Sequence, residues 1–229
     1  MPYRSSPVIL SRRTFSALMS MTGVSALLGL SPFALIGDAA AQTAAEIATP
    51  SPLGDMALGP ENASVTIIEY ASMTCPHCAS FTTNVFPKIK SEYIDTGKVR
   101  FIFREFPLDE VAAAGSIVAR CIAKDNSQMY FALVDAMFKQ QNDLARTPLP
   151  TLKRIGKQAG LSEEGVEACL DKKTEVGKRL LDGIVQTLDY ANTKLKVNST
   201  PFFFVNGTPL KGDTSFDAFD KMIKPLLKS

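Results

Sequence analysis

The chain has 229 residues, of which 45% are hydrophobic and 21% are charged. This is the composition of a globular protein, and it excludes a disordered or fibrous chain. Residues 1–41 contain three of the 25 basic residues and one of the 23 acidic residues, so the remaining chain has no formal net charge. A neutral chain gives no indication of a nucleic-acid partner, and we expect none.

The first 41 residues have the order of an export signal. Arg12 and Arg13 precede a moderately apolar run from Ala17 to Leu30, and Ala39-Ala40-Ala41 offers small residues for cleavage. The apolar run is shorter than the ~20 residues that a membrane-spanning helix needs. We therefore predict a cleaved signal peptide. The paired arginines leave open whether export follows the twin-arginine or the general secretory route.

Two predicted strands flank a pair of closely spaced cysteines. After an irregular lead-in, Val65 to Tyr70 is rich in β-branched residues and predicts a strand. The loop Cys75-Pro76-His77-Cys78 follows, with its proline where the first turn of a helix tolerates one. This helix is predicted to extend to about Thr96, and Lys98 to Arg104 predicts a second strand. The first half therefore has the order of a βαβ unit.

The spacing of apolar residues is helical from about Asp109 to Lys196. Turn-forming residues divide this stretch at Asp125-Asn126-Ser127, at Thr147-Pro148 and at Gly160. We expect about five helices here and no strand.

Strand character returns near the C-terminus. Pro201 to Val205 predicts a strand, and Asn206-Gly207 is a strong signal for a tight hairpin. The next strand contains Pro209, so we place it at an edge of the sheet. Thr214 and Asp217 have the spacing of a capping box and predict the start of a last helix.

These elements predict an α/β domain that is divided by an inserted all-helical domain. Strand character both precedes and follows the helical stretch, so the two flanking parts are expected to form one sheet. We assign the units as signal peptide 1–41, lead-in segment 42–58, first half of the α/β domain 59–108, inserted helical domain 109–196, and second half of the α/β domain 197–229.

The loop Cys75-Pro76-His77-Cys78 is the candidate active centre, and four uses of such a pair compete. A zinc site usually needs a second ligand pair, but Cys121 and Cys169 stand singly and His77 is the sole histidine. Covalent haem needs a histidine after the second cysteine, where Ala79 stands. A purely structural disulfide would close too short a loop to stabilise much. The strand–loop–helix context favours redox catalysis, with no metal and no cofactor.

The position of Cys75 at a helix N-terminus explains why such a pair is reactive. Free backbone N–H groups and the positive end of the helix dipole stabilise its thiolate and lower its pKa. A stabilised thiolate is a good leaving group, which makes the loop disulfide a strong oxidant. His77 can add a donor or a positive charge, and Cys78, one turn into the helix, is expected to be less exposed and to resolve the mixed disulfide.

Three segments together resemble the DsbA family of periplasmic disulfide oxidases within the thioredoxin superfamily. They are the strand Val65-Thr66-Ile67-Ile68-Glu69-Tyr70, the loop Cys75-Pro76-His77-Cys78, and the stretch Ser199-Thr200-Pro201-Phe202-Phe203-Phe204-Val205-Asn206-Gly207. The likeness extends from about Leu58 to the end of the chain. It implies a thioredoxin-like fold with an inserted all-helical domain.

The resemblance also implies roles for three further residues. Pro201 would be a cis-proline that faces the loop sulfurs, and Thr200 would offer backbone hydrogen bonds to a substrate peptide. Glu69 matches a buried acid that assists proton transfer at the resolving cysteine. Its place on the same strand face as Val65 and Ile67 favours burial over a solvent-exposed position.

The remaining two cysteines, Cys121 and Cys169, both lie in the predicted helical domain. In an oxidising compartment two spare cysteines in one subdomain tend to pair, and some relatives carry a second bridge, so we expect a structural disulfide. The alternative is two buried thiols that act as small apolar side chains. The lead-in is too short to contain the dimerisation domain of the isomerase relatives, so we expect a monomer.

The function that these features favour is a periplasmic disulfide oxidase that donates the Cys75–Cys78 disulfide to unfolded exported polypeptides. The resemblance implies recharging by a membrane quinone-linked protein of the DsbB type. One alternative is a reductase or isomerase on the same fold, since Thr200 also precedes the cis-proline in such relatives. An alternative of another class is a chaperone-like or metal-handling binding protein in which the loop disulfide is incidental.

Overall fold

The computed structural model describes residues 44–227. The predicted signal peptide, residues 1–41, lies outside the described residues. Within them, no helix is both long enough and apolar enough to cross a membrane.

The described residues form a mixed sheet of five strands. Its strands are β1 Met56–Leu58, β2 Val65–Ala71, β3 Val99–Glu105, β4 Phe202–Val205 and β5 Thr208–Leu210. Their order across the sheet is β1-β3-β2-β4-β5. The central pair β2–β3 is parallel, and the other neighbours are antiparallel. The strand that contains Pro209 is at an edge, as predicted, because proline cannot donate a ladder hydrogen bond.

Helices cover both faces of this sheet and form the insertion. Near the N-terminus a short helix, α1, spans residues 44–48. The other helices are α2 Pro76–Asn84, α3 Phe86–Ile89, α4 Glu110–Ala123, α5 Ser127–Lys139, α6 Gln141–Arg146, α7 Pro148–Gln158, α8 Glu163–Leu170, α9 Glu175–Thr193 and α10 Phe216–Leu226. The stretch between β3 and β4 thus contains six helices rather than about five, and no strand.

The helix predicted to run from the cysteine loop to about Thr96 is interrupted. α2 ends at Asn84, α3 follows, and a π-helical turn spans Lys90–Ile94. Pro87 lies in the first turn of α3, where its missing N–H prevents a continuous helix. Gly97 then leaves the helix with a φ of 76°, a conformation that favours glycine.

The lead-in, for which the sequence predicts irregular structure, contains α1 and strand β1. Met56 of β1 pairs with Phe103, and Asp55 just before it receives two hydrogen bonds of 2.9 Å from the buried Arg104. A strand of three residues shows too little alternation to be predicted, and its pairing partner is distant in sequence.

The last helix begins one residue later than its predicted capping box. Ser215, not Thr214, is the N-cap of α10, and its Oγ accepts from the N–H of Ala218 at 3.4 Å. Serine and threonine in adjacent positions offer the same capping oxygen, so the sequence pattern does not separate them.

The strands of the sheet alternate their side chains between two apolar layers. Ile67 and Phe203 face α2 and α10, where Phe81 contacts Phe203 and Phe219 with ring centroids 4.6 Å and 5.6 Å apart. Ile68 and its neighbours on the opposite face pack against α1 and α9. Burying one such phenylalanine contributes roughly 1.5–3 kcal/mol, so these contacts stabilise the sheet that carries the loop after β2.

A buried ion pair joins the sheet to the inserted helices. Arg120 of α4 donates to both carboxylate oxygens of Glu105 at the end of β3, and the two residues are 3% and 0% exposed. The hydroxyl of Tyr130 donates to the same carboxylate at 2.6 Å. Arg120 also donates to the carbonyls of Leu53 and Gly54 in the lead-in. This network fixes the insertion on the sheet.

Candidate functional site

The loop Cys75-Pro76-His77-Cys78 forms the junction between strand β2 and helix α2. Cys75 is the N-cap of α2 with extended backbone angles, φ −78° and ψ 118°, and Pro76 occupies the first turn. The side chains of Cys75 and Cys78 are 4% and 0% exposed, whereas Pro76 and His77 are exposed. Both cysteines are thiols in this structure.

The surroundings of Cys75 strongly favour its thiolate. The hydrogen bond from the Cys78 thiol makes the largest contribution to lowering the pKa of Cys75. The side chain of Thr200 and the backbone N–H groups of Cys78 and His77 stabilise the thiolate further, whereas burial opposes it. Together they lower the pKa of Cys75 to about 5. A helix N-terminus supplies such free N–H groups, so the local fold produces this shift.

Cys78 is in the opposite situation. Burial raises the pKa of its thiol far above the ordinary value, and the neighbouring Cys75 side chain and the charge of Glu69 raise it further. A contact with the backbone of Ser72 opposes this effect weakly. The two sulfurs of one loop therefore differ sharply in acidity, with Cys75 ionised and Cys78 protonated at neutral pH.

Glu69 lies on β2 beneath the loop and is 1% exposed, as its strand position indicates. Its Oε1 has no hydrogen-bond partner. Burial, and to a lesser degree the charge of Cys75, raise the pKa of Glu69 well above its ordinary value. The side chain borders a cavity of about 230 Å³ whose walls include Phe101, Phe103 and Phe131. Such surroundings favour the neutral, protonated carboxyl over the carboxylate.

Thr200 and Pro201 are brought to the loop by strand pairing. β4 runs antiparallel to β2, with Tyr70 opposite Phe202, so the residues before β4 lie beside the loop that follows β2. The Thr200–Pro201 peptide bond is cis. When Cys75 is protonated, its thiol donates to the carbonyl of Thr200, with Sγ 3.2 Å from that oxygen. The structure thus places the carbonyl of Thr200, which precedes Pro201, at the reactive sulfur.

His77 has an exposed side chain and acts on the reactive sulfur through its backbone. Its backbone N–H stabilises the Cys75 thiolate, and within residues 44–227 no hydrogen bond joins the imidazole to either sulfur. An effect of the imidazole on the pKa of Cys75 stays a prediction. Across residues 44–227 no group of three or more His, Cys, Asp or Glu side chains is arranged to hold a metal ion.

Cys121 and Cys169 lie away from this centre. They form a disulfide between α4 and α8, with their Cα atoms 6.1 Å apart. Apolar side chains that include Ile117, Leu180 and Ile184 surround the bridge. It closes a loop of helices in the insertion and has no contact with the reactive pair among the described residues.

Gln141 contacts the loop, although no pattern in the sequence indicates it. Gln141, the first residue of α6, donates from its amide nitrogen to the carbonyls of Met73 at 2.9 Å and Cys75 at 3.0 Å. A single glutamine at the start of a helix belongs to no motif, and only the fold brings it to the loop. No signal in the sequence could have indicated it.

The fold and the site define a thioredoxin-like protein with a helical insertion, and comparisons with known proteins agree. The family model described as Thioredoxin matches residues 51–225. The crystal structure of alpha-DsbA1 from Wolbachia pipientis aligns with a TM-score of 0.71 and 32% identity over 80% of this chain and 95% of that one. BdbD from Bacillus subtilis aligns with a TM-score of 0.68 and 25% identity over 79% and 96% of the two chains.

A protein of Rickettsia bellii whose name describes a protein-disulfide oxidoreductase is 36% identical over 157 residues, which are 67% of this chain and 57% of that protein. The chain spans between 57% and 64% of the length of its rickettsial relatives. This chain belongs to the thioredoxin family, within its DsbA-like group. The predicted fold class and the family resemblance are confirmed.

Proposed function

We propose that this chain is a thiol–disulfide oxidoreductase that donates its Cys75–Cys78 disulfide to folding polypeptides. The observation that carries this proposal is the opposite pKa shift of the two sulfurs, to about 5 for Cys75 and upward for Cys78. A stabilised Cys75 thiolate lowers the free energy of the reduced pair, so the disulfide readily accepts electrons from client thiols. The names of its relatives support the same class of activity.

The reaction has two exchanges. A client thiolate attacks the Sγ of Cys75, the Cys75–Cys78 bond breaks, and Cys78 leaves and takes up a proton. A second client thiolate attacks the client sulfur of the mixed disulfide and displaces Cys75 as a thiolate. The client loses two electrons and two thiol protons, the loop gains the two electrons, and one proton remains on Cys78 while the other passes to solvent.

Glu69 would carry the proton that Cys78 requires. Burial raises its pKa and favours the protonated carboxyl, and in the ionised form its charge acts on the sulfur of Cys78. Perturbed buried acids of this kind are concentrated at functional sites. Thr200 and Pro201 would form the edge along which the client peptide lies, since their backbone borders the reactive sulfur.

The compartment and partners form part of the same proposal. The export signal predicted for residues 1–41 would deliver the protein to the periplasm, where disulfides persist. Each turnover leaves the loop reduced, so a second redox protein must reoxidise it. A membrane quinone-linked protein of the DsbB type is the partner we propose, and the protein would act as a monomer.

The direction of electron transfer is tested by equilibrating the Cys75–Cys78 pair with glutathione and counting loop thiols. A reduction potential of roughly −120 mV supports an oxidase, whereas one of roughly −270 mV refutes it in favour of a reductase.

Turnover is tested with a reduced, unfolded client that has two cysteines. Cys75→Ser is expected to abolish its oxidation, and undiminished activity of this variant would favour a binding module instead.

A further inference from the structure

The side chain of Gln141 joins the inserted helices to the backbone of the reactive loop. Its amide nitrogen has two hydrogens, and the two acceptors are the carbonyls of Met73 at 2.9 Å and Cys75 at 3.0 Å. Both acceptors belong to the segment that leads from β2 into α2. One side chain therefore satisfies two carbonyls on either side of Thr74.

These two hydrogen bonds constrain the torsions that place the Cys75 sulfur. The direction of a carbonyl group is set by the ψ angle of its residue, so Gln141 fixes ψ of Met73 and of Cys75. The ψ of Cys75 is 118°, the extended N-cap conformation. This angle decides where the N–H groups of His77 and Cys78 lie relative to Sγ, and both lower the pKa of Cys75.

A second contact from the insertion supports the same segment. Oδ2 of Asp109, the N-cap residue of α4, accepts from the hydroxyl of Thr74 at 2.7 Å. Asp109 thus contacts the residue between the two carbonyls that Gln141 binds. Side chains of the insertion thus form hydrogen bonds with three consecutive residues of this segment, Met73, Thr74 and Cys75.

We propose that Gln141 is a positioning residue that sets the acidity of Cys75 from the helical insertion. It touches neither sulfur and acts through the backbone geometry of the N-cap. Its consequence for turnover rests on the proposed disulfide exchange, because a less stable Cys75 thiolate is a poorer leaving group. Its effect on the thiol itself does not depend on any client or partner.

The test replaces Gln141 with methionine, which has similar volume but no hydrogen-bond donor. We expect the pKa of Cys75 to rise by roughly half a unit to one unit, as the loss of part of one hydrogen bond's stabilisation predicts. The pKa is measured by the ultraviolet absorbance of the thiolate and by the pH profile of alkylation, in protein whose loop alone has been reduced. Client oxidation is measured in the same preparations.

Gln140→Met is the matched control, because Gln140 is adjacent and also half-buried, and its side-chain amide donates to the carbonyl of Ala136 in α5 at 3.2 Å rather than to the loop. This variant should leave the pKa of Cys75 unchanged. If Gln141→Met does not fold, Gln141→Asn keeps the amide but is too short to reach both carbonyls, and the same rise is expected.

An unchanged pKa of Cys75 in a folded Gln141 variant would overturn the inference, even if thermal stability fell, since docking of α6 alone would not alter thiol acidity. A wild-type protein that fails to oxidise clients but shows the expected pKa shift on Gln141→Met would refute the proposed function and leave the role of Gln141 standing.

Discussion

The acidity of Cys75 predicts how the redox equilibrium of the loop depends on pH. With a pKa of about 5 for Cys75 and a raised pKa for Cys78, reduction of the disulfide at neutral pH binds one proton rather than two. Reduction of glutathione disulfide binds two protons throughout this range, because the pKa of an ordinary thiol is about 8.5. The equilibrium between the loop and glutathione must therefore depend on pH.

The sign and size follow from the Cys75 thiolate. Lowering the pH protonates this thiolate and removes the stabilisation that favours the reduced loop, so the loop becomes a weaker oxidant relative to glutathione. The equilibrium constant should fall about tenfold per pH unit above the Cys75 pKa and become constant below it. Between neutral pH and about one unit below the pKa, the total change is about 100-fold, or roughly 59 mV for this two-electron couple.

The assay equilibrates the protein with glutathione buffers across this pH range and counts the loop thiols by mass spectrometry after acid quenching and alkylation. The Cys121–Cys169 bridge is followed in the same spectra, so its reduction is not mistaken for that of the loop. A curve that is flat from neutral pH downward, or one that bends near the ordinary thiol pKa of about 8.5, would refute the assigned acidity of Cys75.

Two further predictions concern stability and are tested by urea denaturation of the oxidised protein. Glu69→Leu is expected to raise the free energy of unfolding by about 1–3 kcal/mol, because it removes a buried carboxyl oxygen without a partner. The same variant should oxidise clients more slowly. Unchanged stability would contradict the burial of an unsatisfied group. Arg120→Met should lower the free energy of unfolding by about 3–5 kcal/mol, because Glu105 would remain buried without its cation. Arg154→Met is its control, since the pair Arg154–Asp143 is about half exposed and should change stability by less than about 1 kcal/mol.

The parts of the molecule that the sequence predicts are those with local chemical signals. β2 is a β-branched run, the loop has two cysteines and a proline in a fixed order, and Asn206-Gly207 forms a turn with positive φ at both residues. In each case the backbone preference of neighbouring residues is enough to specify the conformation. Pro209 likewise predicts the edge strand, because proline cannot donate a ladder hydrogen bond.

Features that depend on distant contacts were not predictable. β1 exists because it pairs with β3 more than 40 residues later in the chain, as the pair Met56 and Phe103 illustrates. Gln141 reaches Met73 and Cys75 only because the insertion folds back over the loop. Thr200 and Pro201 also come near Cys75 only through pairing between distant strands. The family resemblance indicates these two residues, whereas their local sequence does not.

The buried polar atoms without hydrogen-bond partners lie at the same centre as the pKa shifts of the two cysteines. In residues 44–227, two buried side-chain atoms are recorded without a hydrogen-bond partner, Oε1 of Glu69 and Oγ1 of Thr200. Such atoms are costly and rare in native proteins, and each one calls for an explanation. Both lie at the reactive pair, one acting on each sulfur. In the proposed reaction, the Thr200 hydroxyl would donate to the Cys75 thiolate, and the Glu69 carboxyl would exchange a proton with Cys78. We therefore expect these two groups to find their partners in the course of the proposed disulfide exchange.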